Sequence, residues 1–203
     1  KHSNGQLEQF FNIGFAALVG AAVDEGTNQI IIVDTCPGAG ACQHDCFEMK
    51  GGFIQFEPGW ISRSRILTYL LNDPEGFKEQ INAEISKEAM EGEKGNYAVS
   101  VRWHNSGDFF SPAYLNLVFD IARANPTVSF YAYTKMADVA TMAHPVNFMF
   151  NFSEGAKRSE LIKIDNAVNS GKIVKRAFIV PKDLFFDLIQ RKGNTLIKDA
   201  KGR

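Results

Sequence analysis

Long apolar runs are missing from this 203-residue sequence. None comes near the ~20 consecutive apolar residues of a membrane-spanning helix, so no span is expected. A charge excess is missing too. Lysine and arginine number 22 against 23 acidic residues, a net charge of −1, which gives no electrostatic reason to expect nucleic acid or an anionic membrane as partner. The opening Lys1-His2-Ser3-Asn4-Gly5-Gln6 is polar, unlike a signal peptide, and makes a reducing cytoplasm the expected compartment. No internal repeat, low-complexity tract or long linker divides the chain. One domain over 1–203 is expected, with 1–28 as an N-terminal extension or hairpin and 193–203 as a frayed tail.

Cysteine is scarce, and its placement is the chief signal. All three cysteines fall in Cys36-Pro37-Gly38-Ala39-Gly40-Ala41-Cys42-Gln43-His44-Asp45-Cys46, directly after the β-forming run Ile30-Ile31-Ile32-Val33-Asp34. Structural thiols usually scatter through a core, and a disulfide with one odd thiol would suit a secreted chain. Three thiols on a loop with two glycines and a proline are placed to meet one object, and thiolates suit zinc or an iron–sulfur centre. The 17 phenylalanines, with no basic residues interleaved, read as core and pocket lining rather than a base-stacking platform.

The remaining pattern alternates strand and helix. A strand at 14–20 pairs across the turn-rich Asp24–Asn28 with one at 29–34. Helices follow from Trp60 to Leu71 and, after the Asp73-Pro74 cap, through Phe77, Ile81 and Ile85 to a solvated linker at Glu91–Gly95. Strands at 97–104, 128–133, 146–152 and 175–180 alternate with helices opening at Ser111-Pro112, near 136–142, at 157–169 and at Pro181. This predicts an α/β fold: a partial (β/α) barrel or open parallel sheet of about five to six βα units, too few for a full barrel.

Parallel α/β sheets bind ligands beyond the carboxyl ends of their strands. There the chain places Cys36, Cys42 and Cys46 after the first strand, then His104, Asn105, Ser106, Gly107 and Asp108. Tyr133, Thr134 and Lys135 follow the third, and Asn151, Ser153 and Glu154 the fourth. These groups are expected to face one pocket, with Lys135 balancing anionic charge.

The spacing C-x5-C-x3-C lacks the paired pattern and fourth cysteine of a structural zinc site, although His44, His104 or His144 could complete Cys3His. A [4Fe-4S] cluster on three cysteines leaves one iron without a protein thiolate. His44 and Asp45 sit in a link short enough to aim their side chains away. The fourth ligand is therefore expected to be exogenous: sulfide, a thiol or water, within reach of a hydrogen bond from His104 or Asn105.

Three cysteines after the first strand of a partial barrel resemble the radical S-adenosylmethionine (SAM) superfamily, although its usual spacing is C-x3-C-x2-C. The chain more closely resembles the phage gene-product-88-like family, whose members resemble radical-SAM proteins. The matching pieces are Thr35-Cys36-Pro37-Gly38 with Cys42 and Cys46, His104-Asn105-Ser106-Gly107-Asp108-Phe109-Phe110-Ser111-Pro112, and Phe130-Tyr131-Ala132-Tyr133-Thr134-Lys135, over about 30–135. The resemblance implies host cytoplasm for a phage-encoded chain. It also implies that Ser106-Gly107-Asp108 stands where radical-SAM enzymes contact the amino group of bound SAM; the other SAM motifs are not legible.

Three readings follow. The first is a cluster protein with an exogenous small ligand, acting in electron transfer or sulfur handling. The second is a radical SAM enzyme fed by a reductase, and the third a zinc-stapled binding module.

Overall fold

The computed structural model describes residues 7–50 and 55–178. Its centre is a sheet of five parallel strands in the order β1, β4, β5, β6, β7. These are β1 (Leu7–Ile13), β4 (Tyr97–Trp103), β5 (Ser129–Thr134), β6 (Phe148–Ser153) and β7 (Arg176–Ala177). A separate antiparallel hairpin, β2 (Val19–Asp24) with β3 (Gln29–Asp34), stands between β1 and the cysteine loop. The helices are α1 (Glu57–Asn72), α2 (Pro74–Gly95), α3 (Pro112–Ala124), α4 (Ala137–Thr141) and α5 (Arg158–Asn169). Strands added in sequence order by crossovers of one hand keep the helices on one face, as in part of a barrel. No closure into a barrel is seen among the described residues.

The period-2 alternation of the strands sorts the two faces. Val99, Val101, Trp103, Phe130, Ala132, Phe148, Phe150 and Phe152 are buried toward the helices. Phe119 of α3 packs edge-on to Phe148 and Phe150, with ring centroids 5.8 and 6.0 Å away. Burying each such ring contributes about 1.5–3 kcal/mol. The opposite face carries Ser100, Arg102, Tyr131, Tyr133, Asn151 and Ser153.

Local capping signals are realised. The Asp73 side chain accepts from Gly76 N–H with Pro74 in the first turn, and the Ser111 side chain accepts from Tyr114 N–H with Pro112 in the first turn. Helix α1 seals the free edge of β2 with a polar stripe at helical spacing: the Ser64 hydroxyl donates to Ala21 O (2.7 Å), the Thr68 hydroxyl accepts from Val23 N–H (3.0 Å), and the Asn72 amide donates to Val23 O (2.7 Å).

Four expectations need correction. The hairpin exists, but its first strand starts at Val19; residues 14–18 are a connector whose Phe15 is completely buried. The N-terminal segment is not a mere extension, because Leu7–Ile13 is a strand of the main sheet. The cysteine loop therefore follows a hairpin strand and not the first strand of the parallel sheet. Glu91–Gly95 is the last turn of α2, not a linker, and Asn96 (φ 52°) ends it in the left-handed region. The expected strand beyond Phe178, the helix from Pro181 and the tail from Gly193 lie outside the described residues.

Candidate functional site

The loop from Cys36 to Cys46 is held by backbone groups from three directions. On one side the connector 14–18 is laced to the loop after β4. Phe15 N–H donates to Ser106 O (3.1 Å), Asn105 N–H to Ile13 O (3.1 Å), and the Ser106 hydroxyl to Phe15 O (2.5 Å). Thr35, fully buried, donates its hydroxyl to Ala16 O (2.6 Å), and its carbonyl accepts Asp108 N–H (2.6 Å). On the other side the loop docks on the segment after β6. Gly40 N–H and Cys42 N–H both donate to Gly155 O (3.0 and 3.2 Å), and Lys157 N–H donates to Gly38 O (2.9 Å). Gly40 permits this approach: a Cβ there would lie 2.3 Å from Ala156 O. Third, Arg63 of α1 forks onto the buried Glu48, with Nη2–Oε1 3.1 Å and Nη1–Oε2 2.9 Å, and fixes the turn that carries Cys46.

These supports enclose a cavity of about 470 Å³ at the carboxyl ends of β4, β5 and β6. Such a volume falls within the ~300–1,000 Å³ of small-molecule sites. Cys36, Cys42 and Cys46 all line it, and all are free thiols. His104, Asn105, Ser106, Gly107, Asp108, Tyr133, Lys135 and Ser153 line it as well. Asn151 is not among the lining residues; it sits on the same sheet face as Ser153, two residues earlier in the strand. Among the described residues, no three His, Cys, Asp or Glu side chains converge closely enough to hold a single metal ion.

Cys36 is the most deeply set thiol. Burial raises its pKa to about 11, the Leu18 N–H that it accepts at 3.3 Å lowers it, and Asp108 nearby raises it. Leu18 has φ 64°, so a left-handed backbone turn aims this donor at the sulfur.

Two expected ligand-facing groups are structural instead. The Asp108 carboxylate is 3% exposed and fully engaged: Oδ1 accepts from Phe109 N–H (2.8 Å) and the Thr134 hydroxyl (2.7 Å), Oδ2 from Lys135 N–H (2.8 Å). It ties the loop after β4 to that after β5, and burial raises its pKa. The His104 ring, at the edge of the cavity, packs against Phe15, Phe109 and Tyr114, with its Nε2 2.8 Å from the Tyr114 hydroxyl. Tyr114 also accepts Trp103 Nε1–H at 2.6 Å, so its hydroxyl links the indole and the imidazole. His104 Nδ1 has no partner among the described residues, and burial lowers the His104 pKa to about 3, leaving the ring neutral. The Asn105 amide oxygen accepts Ser106 N–H (2.9 Å). Asp45, expected to point away, stands at the cavity wall with its carboxylate 3.1 Å from Lys50 Nζ.

Sequence reasoning missed Arg102, Leu18 and Glu48. Arg102 had a readable signal, a charged residue near the carboxyl end of a mostly apolar strand. Leu18 acts through its backbone, which no side-chain pattern announces.

A family model described as Gene product 88 matches residues 11–191, a longer span than the three quoted motifs. No curated protein and no solved structure matches the chain. No helix among the described residues is long and apolar enough to cross a membrane.

Proposed function

The chain belongs to the gene product 88 family, and we propose that it is an iron–sulfur protein holding one [4Fe-4S] cluster on Cys36, Cys42 and Cys46. The fourth iron takes a small exogenous ligand (sulfide, a thiol or water), and the role is electron transfer or sulfur handling in the host cytoplasm. The observation that carries this reading is the Leu18 N–H directed at Cys36 Sγ in a cavity shared by all three thiols. Hydrogen bonds to ligating sulfur are a principal means by which proteins tune such clusters. All three cysteines line the cavity, and no three His, Cys, Asp or Glu among the described residues form a single-ion site, which weighs against a closed zinc site. When bound, the cluster supplies one-electron chemistry and one iron open to exchange.

The chain's own residues then have definite tasks. Cys36 gives up its proton on binding, because the thiolate is the ligand. Lys135, at the same wall, offsets the negative charge of three thiolates in a poorly solvated place. Leu18 N–H holds the Cys36 sulfur in one orientation.

SAM is the second reading, favoured by a cavity large enough for an organic molecule. Against it, both oxygens of Asp108 already have partners, so Asp108 lacks the free carboxylate that the resemblance asks for. Iron and acid-labile sulfide analysis of anaerobically purified protein tests the proposal. The expected result is four of each per chain and a broad visible band that Cys42→Ala abolishes; colourless protein with stoichiometric zinc overturns it. Titrating the reduced cluster with SAM under electron paramagnetic resonance separates the two readings, since a clear spectral shift with 5′-deoxyadenosine release means the enzyme.

A further inference from the structure

Arg102 reaches the cysteine cavity from β4, and nothing assigned so far uses it. Its guanidinium lies over the Tyr133 ring, 5.1 Å from the centroid. Stacking uses the face of the guanidinium and leaves its in-plane N–H groups for an acceptor. Its Nε is buried and has no hydrogen-bond partner among the described residues. No described carboxylate lies within ion-pair distance of it; Glu48 is taken by Arg63, and Asp108 by Thr134 and Lys135. A charged group held half-buried at a cavity wall without a counter-ion is costly, which favours a partner of opposite charge from outside the fold.

We propose that Arg102 is the anchor for the carboxylate of a small organic ligand, whose other end extends toward the three cysteines. One guanidinium matches one carboxylate in charge and in its bidentate fork. The neighbours on this face, Tyr131, Tyr133, Asn151 and Ser153, are neutral hydrogen-bonding groups; Lys135 also lines the cavity, and on the proposed function the three thiolates take its charge, which leaves Arg102 to meet a monoanion. The proposal rests on the cluster reading only for the far end of the ligand, where a thiol would occupy the open iron. The ligand is then a thiol-bearing carboxylate.

Two experiments separate the parts. In cluster-loaded protein, mercaptoacetate should perturb the reduced-cluster resonance at concentrations at least tenfold below 2-mercaptoethanol, its neutral counterpart. Arg102→Gln should erase that preference and Arg102→Lys restore part of it, with unchanged circular dichroism showing that both fold. Equal potency of the two thiols, or a preference that survives Arg102→Gln, overturns the proposal. If the protein takes up no cluster, the function reading fails but the anchor is still tested. In metal-free protein, phenylglyoxal should modify Arg102, mapped by mass spectrometry, and propionate should slow this severalfold while propionamide does not. Absence of protection, or protection by inorganic phosphate alone, overturns the carboxylate assignment.

Discussion

Leu18 and Cys36 meet backbone to side chain, an N–H 3.3 Å from a sulfur, eighteen residues apart across the hairpin. That contact and the burial around it set opposite demands on the thiol, and burial wins, raising the pKa to about 11. At neutral pH the metal-free Cys36 is protonated, so metal uptake must expel a proton. Reconstitution should therefore tighten as pH rises from 7 to 9. Iodoacetamide should label Cys36 in the metal-free protein more slowly than an unhindered thiol at pH 8; equal rates would show that the thiol is not held protonated. The linkage on stability has the opposite sign. A folded-state pKa above the unfolded one means that the metal-free fold keeps the proton longer, so this contribution is present below about 9 and is lost as pH rises toward 11.

His104 predicts an acid-side dependence. Its pKa falls from 6.5 in the unfolded chain to about 3 when buried, so between these values the unfolded state binds more protons. Stability should fall with acid below about pH 6.5, by up to about 1.4 kcal/mol per pH unit from this residue. Asp108, whose pKa is raised by burial, pulls the other way above its unfolded value. Urea unfolding of the wild type and His104→Gln at pH 5 and 7 isolates the histidine. The variant should show the shallower pH slope, and parallel slopes would refute the assignment.

The Arg63–Glu48 pair predicts a large single-residue effect. The Glu48 side chain is 1% exposed and that of Arg63 18%. Arg63→Met leaves a buried carboxylate alone and should cost about 3–5 kcal/mol in urea unfolding. The double variant with Glu48→Met should recover much of that loss. Cluster content should drop in Arg63→Met, because Glu48 belongs to the turn after Cys46.

Two glycines make a matched test. Gly40→Ala places a methyl group 2.3 Å from Ala156 O, with rigid backbone on both sides, and should lower both stability and cluster content. Gly59, inside α1, would present a Cβ that meets nothing, so Gly59→Ala should stabilise by up to about 1 kcal/mol. Equal effects would mean that the loop can retreat from Ala156.

What the sequence made legible was local. Asp73-Pro74 and Ser111-Pro112 announce helix starts because capping acts over three residues, and the period-2 run of phenylalanine on β6 shows its buried side directly. β1 was missed because it is an edge strand with Leu7 and Phe10 exposed, and its only strand partner begins at Tyr97. That His104–Asp108, Tyr133 and Lys135 line one cavity followed from the rule that loops gather at the strand ends of a parallel sheet, whereas the cysteines reach it from a hairpin strand outside that sheet. The tasks of Asp108 and His104 did not, because the contacts with Thr134 and Tyr114 that decide them are side-chain contacts outside any local pattern.

The loop that carries the cysteines closes on backbone hydrogen bonds to Gly155, Lys157 and Asp108, none of which needs a metal. On the proposed reading, the receptacle is closed before a cluster arrives. Zinc fingers, by contrast, couple metal capture to chain ordering and unfold under chelators. Here chelation should leave the far-ultraviolet signature intact. Loading is then a docking event, its pace set by a donor's approach to the mouth and by the escape of one proton from Cys36, rather than by a search through chain conformations.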